Sequence, residues 1–116
     1  MKFESRILTT VAGLLFAFAA NGVYADSGNV KILSPLDDAA LLSTAETYVE
    51  YEFEKGDKGD HIHIWIDGEK SPAQRAAKGS YELPKMTPGK HAVIAKLVDK
   101  GHVPVGPEKS IFVTVK

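Results

Sequence analysis

Cysteine is absent from the 116 residues. With it go disulfides, thiolate nucleophiles, Cys-type zinc sites, iron–sulfur clusters and the lipobox of a lipoprotein. Charge of one sign is missing too: 14 Lys and Arg face 15 Asp and Glu, for a net charge of −1. A chain so balanced, with no dense run of either sign, is a poor match for nucleic acid or for an anionic membrane surface. Catalytic signatures are also lacking. No Ser-His-Asp arrangement, paired catalytic carboxylates, P-loop or dinucleotide fingerprint can be placed, so the expectation is a protein that is not an enzyme. One Trp and four Tyr make no clear carbohydrate platform.

What is present is an ordinary globular composition, 44% hydrophobic and 25% charged, in a length that suits one domain. The first 25 residues read as an export signal. Lys2 and Arg6 form a basic start, Ile7 to Ala20 is almost wholly apolar, and Val23-Tyr24-Ala25 supplies a cleavage site. The apolar stretch falls short of the ~20 residues needed to span a bilayer. The reading is therefore a signal peptide over 1–25 and a folded domain over 26–116, periplasmic or secreted, with no membrane attachment after cleavage. Without disulfides that domain must be held by packing alone.

Residues 26–116 read as short strands punctuated by turns. Val30 to Leu33 ends at Ser34-Pro35, since proline cannot donate to a ladder. Thr47 to Phe53 alternates, placing Val49, Tyr51 and Phe53 on one face. His61 to Ile66 is the strongest strand signal and stops at the turn pair Asp67-Gly68. Ser80 to Leu83, His91 to Val98 and Ser110 to Val115 complete the set, with 102–107 read as a Pro/Gly-rich loop. Ala39 to Thr44 is open between a helical turn and a polar bend, and 69–79 between a helical turn and a plain connection. Six or seven short strands with regular turn signals and no βαβ rhythm predict an all-β fold, an immunoglobulin-like antiparallel β-sandwich.

All four histidines lie between residues 61 and 102. In a strand, side chains two apart share a face at about 6.6 Å, so His61 and His63 can converge on one ion. The competing reading makes both rings solvated polar residues alternating with buried Ile62, Ile64 and Ile66. If strands 61–66 and 91–98 are antiparallel neighbours, His61 lies near 99–102 and His91 near Asp67. His102 then becomes the third candidate metal ligand, and His91 a structural residue bonded across a strand corner. Asp60 and Asp99 are placed to offer oxygen at the same end. Lys96 falls beside His63, where a cation would disfavour a metal. Met86 is expected to pack. Imidazole ligands suit copper or zinc.

Three segments, H-I-H-I-W-I-D at 61–67, L-P-K-M-T-P-G-K-H at 83–91 and D-K-G-H-V-P-V-G-P-E-K-S at 99–110, resemble an uncharacterised family of small exported bacterial proteins. That family carries a His-rich strand, a Pro-Gly-x-His turn and a His-x-Pro loop. Upstream, V-K-I-L-S-P-L-D-D-A-A at 30–40 is similar to the opening strand of bacterial immunoglobulin-like domains, with Asp38-Ala39 in place of Asp-Gly. The resemblance implies a sandwich fold and export and brings no established activity. Its matching histidines are His61, His63, His91 and His102, and Ile62 stands where the family often has another. Two functions from different classes follow: a periplasmic module binding copper or zinc through His61, His63 and His102, or a non-catalytic interaction module that holds another exported protein, with Trp65 either an exposed anchor or partly packed against 69–79.

Overall fold

Eight strands make up two sheets in the computed structural model, which describes residues 26–116. The signal peptide expected over 1–25 lies outside the described residues. In chain order the strands are β1 (Asn29–Ser34), β2 (Ala39–Leu41), β3 (Tyr48–Glu54), β4 (His61–Ile66), β5 (Glu69–Lys70), β6 (Lys78–Glu82), β7 (Gly89–Val98) and β8 (Pro104–Val115). One sheet has the order β1-β3-β6 and the other β2-β8-β7-β4-β5. The fold is an all-β, immunoglobulin-like sandwich, and no described residue is helical.

Alternation supplies the core. Val49, Tyr51 and Phe53 of β3 face Ile62, Ile64 and Ile66 of β4, Val93, Ala95 and Leu97 of β7, and Ile111 and Val113 of β8 in a single apolar cluster. Each fully buried Ile, Leu or Val is worth roughly 1.5–3 kcal/mol, so these positions carry the stability that disulfides do not. Met86 packs against the same cluster, as expected.

Three parts of the chain differ from the sequence reading. Ala39–Leu41 is neither helical turn nor bend but a short edge strand, parallel to β8 through Ala39↔Val113 and Leu41↔Val115. The segment after Asp67-Gly68 is no helical turn: Glu69–Lys70 pairs with β4, and Gln74 bridges Ile62. The loop expected over 102–107 ends early, because β8 starts at Pro104, opposite Val98. Proline is tolerated there as the first residue of a strand.

β4 and β7 pair antiparallel from His61↔Val98 to Ile66↔Val93, which confirms the neighbour relation that placed His61 near residue 102. Along its other flank β4 is completed by β5 and then by side-chain help. Ser71 N–H donates to the Ile64 carbonyl, and Ile64 N–H donates to Ser71 Oγ. Ile62 and Gln74 exchange both backbone bonds. Both edges of the histidine strand are therefore satisfied.

Candidate metal centre

His61 and His63 project from the face of β4 opposite Ile62, Ile64 and Ile66, as pleat alternation requires. The expectation that this face is solvated is corrected. His61 is 0% and His63 3% exposed. The outer face is covered because the chain after β5 folds back along β4 and the β7–β8 turn closes over the strand start. Both rings are buried polar groups, and such groups need partners.

Their partners fix the hydrogens. His61 Nδ1 lies 2.8 Å from Asp60 Oδ2. The bond from His61, with the charges of His61, Lys55 and Arg75, holds the Asp60 carboxyl below the usual carboxylate range against the opposing effect of desolvation. A carboxylate can only accept, so His61 Nδ1 carries the hydrogen, and in the neutral ring Nε2 is then the free lone pair. Arg75 Nη1 grips the same Asp60 oxygen at 3.1 Å. His63 Nδ1 donates to the Ser71 carbonyl at 2.8 Å, which likewise leaves its Nε2 bare. Burial holds the His63 ring below its ordinary pKa of 6.5, with the Ser71 bond opposing, so the imidazole is neutral at pH 7. An outer acceptor on each ring is the arrangement that orients histidine ligands and raises their basicity.

His102 comes from the turn joining β7 to β8. Its φ of 67° lies in the left-handed region, which costs a non-glycine residue about 1–2 kcal/mol. Asp99 maintains that turn: its Oδ1 accepts from Gly101 N–H at 2.8 Å and Val103 N–H at 3.0 Å, and its carbonyl accepts from His102 N–H. Strain kept in place by such a framework is characteristic of sites where a side chain must be aimed.

The three rings meet at one point. His61 Nε2 is 3.2 Å from His63 Nε2, and His102 Nδ1 is 3.0 Å from the first and 2.9 Å from the second. A hydrogen on His102 Nδ1 can be shared between the other two rings, yet it leaves two bare acceptors facing each other at 3.2 Å. A cation at the common point satisfies all three. With metal–nitrogen bonds of about 2.0–2.1 Å, these separations correspond to angles of roughly 90–105° at the metal, which would sit about 1 Å off the nitrogen plane. Among the described residues this is the one group of three or more His, Cys, Asp or Glu side chains close enough to share an ion.

The other sequence candidates fall outside it. His91 donates from Nδ1 to Asp67 Oδ2 and from Nε2 to the Thr87 carbonyl, the strand-corner role expected of it. Asp60 acts on the far nitrogen of His61, and Asp99 on its own turn, so neither offers the site an oxygen. Lys96 is opposite His63 in register, but its ammonium lies 5.0 Å from the Trp65 ring centre, drawn off by the aromatic face. Trp65 is half-buried with its ring against that of His63 at 5.8 Å, which favours the partly packed of its two readings over the exposed anchor. The Ser71 carbonyl and Arg75 were missed. A backbone oxygen leaves no trace in sequence, and a lone Arg in an unassigned segment carries no signal.

No family model and no curated protein matches the sequence. Solved structures do. A fibronectin(III)-like module of Clostridium thermocellum CbhA superposes with a TM-score of 0.62 at 21% identity, over 75% of this chain and 95% of that one. The CARDB domain of a Pyrococcus furiosus protein, solved in complex with di-metal ions, gives 0.58 at 12% identity, over 79% and 90%. Likeness this remote establishes the immunoglobulin-like fold alone.

Proposed function

We propose that the protein is an exported, non-catalytic module of immunoglobulin-like fold that binds one transition-metal ion, copper or zinc, through His61, His63 and His102. The observation that carries the reading is the convergence of three ring nitrogens within 2.9–3.2 Å, two of them held as bare lone pairs by outer acceptors. The donor set is all imidazole. With no thiolate in the chain and Met86 packed against the core, it suits copper(II) or zinc better than soft or oxygen-seeking ions. Placement outside the cytoplasm rests on the amino-terminal segment, and processing after Ala25 is checked by sequencing the amino terminus of protein recovered from the periplasm.

Isothermal titration of zinc and of copper(II) into the purified protein tests the site. One ion per chain is expected, with His63→Ala lowering affinity by about 100-fold or more, since even outer partners of a ligand are worth 10–100-fold. Unchanged binding by His63→Ala and His102→Ala variants that remain folded would refute it. The fold is equally compatible with an interaction module. Trp65, however, already has His63 against its ring and Lys96 over it, which leaves that reading without its anchor.

A further inference from the structure

We propose, building on the metal-site reading above, that the three-histidine site keeps one coordination position open and takes a small monodentate anion there, directly on the metal. Three arguments lead to this. The triangle of nitrogens is too tight for an ion to lie in its plane at ~2.0–2.1 Å, so the ion caps the triangle and has a bare side. No described carboxylate is free to fill that side. Asp60 is committed to His61 Nδ1 and Arg75, and Asp99 to the amides of Gly101 and Val103. Structural zinc sites are closed by four protein ligands, whereas sites with three retain a position for an exogenous one.

Charge then selects the ligand class. Three neutral imidazoles leave the two positive charges of a divalent ion uncompensated, and Asp60 acts on them only through the His61 ring. The nearby carboxylate, Asp60, is itself paired with Arg75, and Lys70 bears electrostatically on His63, so among the described residues no unpaired acidic charge beside the three rings offsets the ion. An anion is the donor that lowers the energy of such a site, and His102, exposed on its turn, leaves a way in.

Azide is a suitable probe, because its coordination to copper(II) gives a charge-transfer band in the near ultraviolet. Protein carrying one copper(II), with stoichiometry fixed beforehand by calorimetry, is titrated with sodium azide. A band that saturates at one azide per copper is expected in the parent protein and in His91→Gln. In His102→Ala it is expected to vanish together with stoichiometric copper. If one copper binds and a large excess of azide produces no band, the site is closed and this inference fails while the metal-site reading stands. If neither copper nor zinc binds, both fail. A band that persists unchanged in His102→Ala would place the copper elsewhere and overturn the assignment.

Discussion

Replacing Asp60 by Asn changes one heavy atom and should weaken the site. In the native protein the carboxylate accepts from His61 Nδ1 at 2.8 Å, so the free lone pair is on Nε2, toward His63 and His102. An amide in the same place can present its NH2 to Nδ1, which reverses the tautomer and puts a hydrogen at the meeting point of the three rings. The side chain is one-fifth exposed, so water competes in part, and the expected loss is the 10–100-fold typical of an outer partner of a metal ligand. Heat is a convenient readout. Zinc at a hundred times the parent dissociation constant stabilises the folded chain by about 2.7 kcal/mol. For a unit of this size that raises the melting temperature by roughly 11–22 °C, at 4–8 °C per kcal/mol. At the same zinc concentration Asp60→Asn should gain only about 2–11 °C. Arg75→Ala removes a bond to Asp60 without touching His61 and should stay close to the parent. A full zinc shift in Asp60→Asn would show that Asp60 does not set the His61 tautomer.

Two further predictions concern stability. His102→Gly and His102→Ala both remove the ring and its bonds to His61 and His63. Only Ala keeps the left-handed backbone penalty of about 1–2 kcal/mol, against an entropic penalty for Gly of about 0.5–1 kcal/mol, so the metal-free Gly variant should be about 0.5–1 kcal/mol more stable in urea than the Ala variant. A Gly variant no more stable than the Ala variant would mean that the turn is not strained. The His91–Asp67 pair should give stability a pH window: the bond to Asp67 raises His91 above 6.5, and the bond to His91 lowers Asp67 below 3.8. The His91 contribution is complete below pH 6.5 and fades as pH climbs through its raised value; the Asp67 contribution is complete above pH 3.8 and fades on acidification below it. With Asp67 half exposed, the pair is worth no more than ~1 kcal/mol, and urea midpoints of parent and His91→Gln should converge at high pH. Parallel curves across that range would remove the pair from the account.

The strands that carry the site were legible because their pattern is local. His61–Ile66 agrees with its sequence reading at both ends, and antiparallel pairing with β7 followed from immunoglobulin-like order, which brought His102 to His61 and sent His91 to Asp67. Burial was not legible. Whether a strand face is open depends on what crosses it, and here the cover comes from 71–75, a stretch with Pro72 and no periodicity to assign. β2 was hidden for a related reason: a three-residue strand has too few positions to show alternation, and only β8 makes it one. The displacement of Lys96 onto Trp65 is likewise a tertiary effect, invisible in register alone.

Because β4 is hydrogen-bonded along both flanks, the spacing between its two imidazoles cannot widen or narrow without tearing backbone bonds on one side or the other. The third imidazole rides on a short turn at the surface. The pocket thus has one jaw fixed by a sheet and one fixed by a single side chain, Asp99. Changes at Asp99 should therefore loosen only the second jaw, and are expected to alter how fast a bound ion leaves more than which ion is chosen.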